Sequence, residues 1–552
     1  MLPGDIVDLA PVGSARLVGH PSTMFTQTGS VLLVGYAFYK TGPRPCETLA
    51  PAEAAAVVAT GGEWAIRNLW GNYLLFWAQG ESIFILRSPM TGPAIFMARA
   101  DSAPGVSHRP EACAFTDLAI ARALGFSLDS LDPEAIDARL RFLSLRSPRC
   151  ELRGVSEILS GEIARLGGSR RSPGSWSPWD YAARPPLDVP PDALRSVVGR
   201  TVSAWSGRFE RLQLELSGGI DSSIVAACLK GRSRPWQAIT LATVDPDGDE
   251  RPYARAVAER VRAPLVEEFR PPVGNPFEPL AELRVRPGGF GLLGPSDGVY
   301  MRAASEYRAD AIFTGTGGDN VFGYMTSTAP ILDALRFAGP VAAWHAARDL
   351  AQLANDNIWK ALAFAARRAV VSPALWPIDG SFLSARYARA RPCHPWIDDA
   401  ARATAGQQHY GLRLLVSQPF IDGFDRALAF PMIAPLLSQP IIEFSMSVPS
   451  WHWGEGGRNR AFARKAFHDD LPRQVIERTS KGRILSAYLP AYETHRPELA
   501  SYLLDGWLAS ERLLDIDALA PLLRGERQAD ATAMARILGF ADMERWARTV
   551  MS

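Results

Sequence analysis

Serine, glycine and aspartate stand together in LQLELSGGIDSSIVAACL, residues 212 to 229, in an order suited to phosphate chemistry. The apolar run predicts a strand that ends at Ser217, Gly218 and Gly219 permit a tight turn, and a helix is expected to begin near Asp221. Such a junction aims backbone N–H groups and the positive end of a helix dipole at one point, where a phosphate fits. Ser217 and Ser222 add hydroxyl donors. Asp221 would repel a bare phosphate and makes better sense as a ligand to a phosphate-bound Mg2+. A plain strand-to-helix turn with Asp221 as its cap uses the same residue types. The GK[ST] ending of a Walker A loop is missing.

A second apolar run enters a glycine-rich turn at AIFTGTGGDNVFGY, residues 311 to 324. Asp319 offers a second carboxylate to magnesium, and Gly315, Gly317 and Gly318 let the backbone approach a nucleotide. A third stretch, GGRNRAFARKAFHDDLPRQVIERTSKG (456 to 482), is rich in cations. A cation beside the α- and β-phosphates would offset the charge that builds up as a carboxylate attacks and pyrophosphate departs. Lys481, Arg464, Lys465, Arg473 and Arg478 are all available, and by composition alone each is a solvated helix charge.

The full SGGxDS string resembles the PP-loop of ATP pyrophosphatases, which implies ATP cleavage between the α- and β-phosphates. The second stretch resembles the GxGxDExFGGY segment of the asparagine synthetase family, and the third its R…LP…R.K pattern. On that resemblance Asp221 and Asp319 are expected to hold Mg2+. Lys481 is the expected catalytic cation, with Arg464 and Arg478 as further candidates. Asn320 stands where the family has Glu. Thr316 stands where asparagine synthetases have Glu and β-lactam synthetase has Tyr, so the resemblance leaves the general base open, a threonine hydroxyl being too weak an acid without a partner.

Elements must bring these turns together. Residues 212–216, 237–244 and 265–269 read as strands and 192–205, 221–229 and 253–261 as helices, an alternation that predicts an α/β fold with a parallel sheet. Ala-, Leu- and Arg-rich segments beyond Tyr324, including 341–371 and 407–430, predict a helical extension. Residues 1 to 166 show short β-type runs such as SVLLVGYAFY and YLLFWAQGESIFILRS, as in a sheet-rich first domain. The Gly-, Ser-, Arg- and Pro-rich stretch 167–191 is the expected linker, being a poor sequence for a buried helix, and 192–552 the second domain. GFGLLG (289 to 294) fits GxGxxG only literally, for it follows RVRPG and is expected to be a loop with no helix opening in it.

The first domain is similar to the class II glutamine amidotransferase domain, an Ntn-type fold, through LWGNYLLFWAQGESIFILRSPMTGPAIFMA. That chemistry needs an amino-terminal cysteine, whereas this chain begins Met-Leu-Pro, so a scaffold role is expected. Pro435 to Phe467 and the RTSKG segment look like lasso peptide cyclases. This resemblance implies adenylation of an Asp or Glu side chain of a core peptide, attack by the peptide's amino-terminal amine, and a leader peptidase and a leader-recognition protein as partners. Trp451 and Trp453 offer a wall for such a substrate, or ordinary core packing. The alternative is another adenylating amide synthetase of β-lactam or asparagine type.

At 552 residues two or more domains are expected. The 59 Lys and Arg nearly cancel the 58 Asp and Glu, which leaves no net field for nucleic acid or an anionic membrane. The five scattered cysteines form no CxxC pair, so reduced thiols are expected. The start lacks a secretory signal and no run of about 18 apolar residues follows, so a cytoplasmic protein with no integral membrane segment is expected. The histidines show no metal spacing and there is no GxSxG elbow.

Overall fold

The computed structural model describes residues 6–99, 111–168, 174–182, 188–243, 248–278, 280, 282–288, 293–371, 374–479 and 488–552. The amino-terminal Met-Leu-Pro, Lys481, most of GFGLLG and parts of the expected linker lie outside them. The chain is a mixed α/β protein, with antiparallel sheets early and a parallel sheet later.

The early β-type runs form the expected strands. Val31–Tyr39, Leu69–Gln79 and Ser82–Arg87 are central to a five-stranded antiparallel sheet edged by Phe25–Thr28 and Ile163–Arg165. A three-stranded sheet, with Ile95–Arg99 between Ala112–Phe115 and Val155–Ile158, lies beyond it. Helices from the far end of the chain cover this smaller sheet. Leu499, Leu503, Ile537 and Phe540 are fully buried in one cluster with Phe96, Phe115 and Leu118.

The second sheet is parallel, in the order Leu265–Phe269, Trp236–Ala242, Leu212–Glu215, Ala311–Thr314, Met432–Ile433. Trp236–Ala242 and Ala311–Thr314 are buried throughout, because helices cover both faces. The chain starts at the central strand, builds outward on one side and then returns to the other. Order therefore reverses between Leu212–Glu215 and Ala311–Thr314, and a crevice opens at their carboxyl ends. Their register pairs Glu215 with Thr314, so both glycine-rich turns leave the sheet at one level.

Two sequence expectations change here. The 167–191 stretch carries a short helix, Trp179–Ala182, and Trp176 and Trp179 are 2% and 1% exposed within the main core. Tryptophan area outweighs the poor helix propensity of its neighbours. GFGLLG does open a helix, Gly294–Tyr307, at its last glycine, with Pro295 suited to the first turn.

One apolar cluster runs from the antiparallel sheet into the parallel one. Trp205, on helix Pro191–Ser206, meets Phe38 and Trp70 edge-on at 4.9 and 5.9 Å, and its Nε1 donates to Ser438 Oγ at 2.9 Å. Glu443 accepts from Lys40 Nζ at 2.8 Å and Trp176 Nε1 at 3.1 Å. Glu157 is ion-paired with Arg87 at 2.7 Å, Arg146 at 3.2 Å and Arg286 at 2.6 Å, and Arg146 also pairs with Asp422. Burial alone would raise the Glu157 carboxyl, but Arg286, Arg146 and Arg87 hold it down to about 2.

The folded value of Glu157 lies below its ordinary 4.5, so its contribution to stability is present above pH 4.5 and is lost as pH falls towards 2. Glu157→Gln leaves buried guanidiniums without their counter-charge and should cost about 3 to 5 kcal/mol at pH 7 in urea denaturation. The gap between variant and parent should narrow as pH drops through that window. An unchanged midpoint at pH 7 would remove this network from the fold's support.

Candidate active site

A cavity of about 1490 Å3 opens at the carboxyl ends of the parallel strands. Ser217, Gly219, Asp221, Ser222, Gly315, Gly317, Asp319, Arg464 and Arg478 all reach its wall. The first turn is tied to itself. Ser217 Oγ lies 3.2 Å from Ser222 Oγ and accepts from Gly219 N at 3.3 Å, and Ser223 Oγ donates to Gly219 O at 2.7 Å. Gly219, not Asp221, is the cap of helix Ile220–Leu229, with Asp221 in the first turn.

The glycines are needed for packing as well as for ligand approach. A Cβ on Gly315 would sit 2.5 Å from Ser222 N, and one on Gly318 would collide with the Asp221 side chain. Gly317 has φ +85° and its Cβ would overlap Leu437; Gly218 has φ +69° and its Cβ would sit 2.6 Å from Tyr253 Cβ. Gly218 and Gly318 therefore lie behind the surface that Gly219, Gly315 and Gly317 present. The second turn is laid directly on the first, and this brings the two carboxylates together.

Arg460 joins them. Its Nη1 donates to Asp221 Oδ2 at 2.8 Å and to Asp319 Oδ1 at 2.6 Å, and its guanidinium lies 5.4 Å from the centre of the Tyr324 ring. Burial would lower the Arg460 pKa, but Asp221 and Asp319 more than reverse this and raise it. Arg460 precedes helix Ala461–Ala466 with φ +60°, a left-handed backbone unusual for a residue with a side chain. The sequence expectations passed over it, since its spacing follows no motif. It sits four residues before Arg464 in the same cation-rich stretch, and the two carboxylates set it apart.

Arg464 and Arg478 reach the cavity wall and also bond to the chain around them. Arg464 Nε donates to Asn459 O at 2.9 Å, Nη1 to Val475 O at 3.1 Å and also to Ile476 O, and Nη2 to Arg478 O at 3.0 Å. Burial, with the charge of Arg460 beside it, brings its pKa down to about 10. Arg478 Nη2 donates to Glu250 Oε1 at 2.6 Å, and Nη1 reaches Gly218 O at 3.4 Å. Asn320 is 9% exposed and donates to Ser417 Oγ, so it anchors the second turn. Thr316 Oγ1 lies 2.9 Å from Thr314 Oγ1. The cavity wall also holds His495, from helix Tyr488–Leu504, which places an imidazole there that no sequence spacing announced.

Trp451 and Trp453 do not line the cavity. Trp453 is fully buried, stacked on Tyr410 at 5.7 Å and edge-on to Phe462 at 5.5 Å, so core packing accounts for it. Its Cβ fills the space a side chain on Gly323 would need.

Asp221 and Asp319 suit Mg2+ by donor type, being hard carboxylate oxygens that converge on one point. Among the described residues no cluster of three or more His, Cys, Asp or Glu side chains forms a metal site, so phosphate oxygens and water would complete the coordination. No described helix is long and apolar enough to cross a membrane.

Two glycine substitutions separate packing from ligand approach. Gly315→Ala should cost about 1 to 3 kcal/mol through the forced backbone shift. Gly219→Ala, whose Cβ would meet only Ser217 Oγ at 3.3 Å, should leave stability nearly unchanged and weaken nucleotide binding. Thermal melts with and without ATP distinguish the two, and equal losses of stability would reject the assignment.

A comparison with curated proteins gave no significant match. Residues 193–548 match the asparagine synthase family. Members of that family are ATP-dependent amide-forming ligases that work by adenylation, typically with Mg2+. The matched region contains both glycine turns, the cation-rich stretch and the whole parallel sheet, and the chain belongs to the asparagine synthase family.

Proposed function

We propose that this protein is a lasso peptide cyclase. It adenylates an Asp or Glu side chain of a core peptide, releases pyrophosphate, and lets the peptide's amino-terminal amine displace AMP to close an isopeptide macrolactam. The observation that carries the reading beyond the family is the cavity. At about 1490 Å3 it exceeds the ~300–1,000 Å3 usual for small-ligand sites, which leaves room for a folded peptide beside the nucleotide. The likeness of Pro435 to Phe467 and of RTSKG to such cyclases supports the same choice.

In this reading residues 1–166 are an amidotransferase-like scaffold, 167–191 connect, and 192–552 form the synthetase. Ser217, Gly218, Gly219 and Ser222 shape the turn that receives the phosphates at the start of helix Ile220–Leu229. Gly315, Gly317 and Gly318 set the second turn, and Asp221 and Asp319 hold the metal. Mg2+, when bound, neutralises phosphate charge. Lys481 steadies the charge on the departing pyrophosphate. Arg478 fixes the first turn through Gly218 O, and Arg464 fixes the strand of chain that leads to Lys481. The attacking carboxylate must sit on the nucleotide's side of the cavity, with the amine held next to it. The leader peptidase and leader-recognition protein are the expected partners, and the cytoplasm the expected compartment.

Mg-ATP with a candidate core peptide should yield AMP, pyrophosphate and a peptide lighter by one water, read by mass spectrometry. AMP formed only with a small β-amino acid, or with aspartate plus ammonia, would replace this reading by a β-lactam-type or asparagine-type synthetase. Lys481→Ala should lower kcat about a hundred- to a thousandfold with a smaller change in ATP affinity. Full activity in that variant would move the role to another cation.

A further inference from the structure

The two carboxylates expected to hold the metal are already bridged by a cation of the chain itself. Arg460 Nη1 is 2.8 Å from Asp221 Oδ2 and 2.6 Å from Asp319 Oδ1, and the three side chains are 10%, 16% and 30% exposed. One guanidinium between two carboxylates leaves the group with a single net negative charge. A divalent ion that arrives alone must displace Arg460 and gains only two carboxylate oxygens for doing so. An ion that arrives with a polyphosphate brings its own further ligands, and it also brings a new anion for the displaced guanidinium to face. Arg460 lines the cavity wall, so the displaced arm stays inside the site.

We propose that Arg460 is a resident counter-ion that holds the metal pair closed in the nucleotide-free enzyme and yields it only to a metal–nucleotide complex. This deepens the adenylation reading, on which it rests, by assigning a positioning residue that couples metal binding to nucleotide binding. The placement of Arg460 agrees with that task. The residue is held at φ +60° in front of helix Ala461–Ala466, so its backbone is set, and its long side chain lies along the cavity wall. Its guanidinium lies against Tyr324, only a few residues beyond Asp319, so the resting position belongs to the second turn. The close packing of Gly318 on Asp221 sets one carboxylate near the other, and Arg460 places positive charge between them. The counter-ion thus stabilises an arrangement that the backbone imposes in advance of any ligand.

The test is a titration of the purified full chain with Mn2+, followed by loss of the free-ion electron paramagnetic resonance signal. The parent should bind Mn2+ weakly alone and much more tightly with a non-hydrolysable ATP analogue. Arg460→Gln should bind Mn2+ alone about ten- to a hundredfold more tightly than the parent, the usual span of coupling between sites. Arg460→Lys, which keeps the charge, should stay near the parent. The gain in Arg460→Gln should vanish when Asp319→Asn is added. A melting temperature that Mg2+ alone raises in Arg460→Gln and not in the parent would support the same conclusion. Parent enzyme that binds Mn2+ as tightly without the analogue as with it would overturn the proposal whether or not the variant folds, as would unchanged Mn2+ affinity in a folded Arg460→Gln. None of these readouts needs turnover. A failure here with AMP formation intact therefore rejects the counter-ion alone, while absence of AMP formation rejects the adenylation reading.

Discussion

The site depends on two turns in direct contact, glycine against backbone at one point and glycine against the Asp221 side chain at the other. Gly315 rests on the backbone of Ser222, and Gly318 rests on Asp221. Close approach of this kind needs glycine on at least one side, and it needs both turns to leave the sheet at the same height. The pairing of Glu215 with Thr314 in adjacent parallel strands supplies the second condition. Once the turns touch, Asp221 and Asp319 have no freedom to avoid each other. Their mutual repulsion in a partly dry wall calls for a cation, and Arg460 provides one from a helix start more than a hundred residues further along the chain.

The frame around that contact is held by polar groups buried in pairs and clusters as well as by apolar area. Glu157, Arg87, Arg146 and Arg286 form one cluster. Arg426 forms another between Glu215 and Asp297, directly below the first turn. Burying any one of these charges alone would be costly, so each cluster favours a single relative placement of the segments that contribute to it. Glu443 does the same for Lys40 and Trp176. The late helices complete the frame, since helix Tyr488–Leu504 packs on the cluster around Phe115 and also carries His495 to the cavity.

The cations of the third stretch divide by the company they keep. Arg464 turns its donors to carbonyl groups, Arg478 turns to Glu250 and the first turn, and Lys465 pairs with half-buried Glu455 at 2.8 Å. Among the described residues, Arg460 is the cation of this stretch seen bonded to both candidate metal ligands. Members of the wider family place Glu after the second aspartate, and here Asn320 uses its amide to fasten that turn to Ser417.

Much of this could be read from the chain before folding. Short-range order, a strand running into Ser-Gly-Gly and then a helix, is written in neighbouring residues, and the expected elements from Pro191 to Phe269 form within a residue or two. The junction chemistry of Ser217, Asp221, Ser222 and Asp319 is equally local. What local pattern cannot express is which distant groups share a dry space. Composition made 167–191 a linker, yet Trp176 and Trp179 are buried because partners hundreds of residues away close over them. Trp453 could serve as wall or core until Tyr410 and Phe462 enclosed it. Among several arginines of equal propensity and charge, Arg460 was indistinguishable by spacing. The turns, the strands and the residue types suited to a phosphate and a metal follow from neighbours along the chain. That Arg460 meets the two carboxylates emerges only from the fold, because charge pairing in a buried wall depends on distance in space.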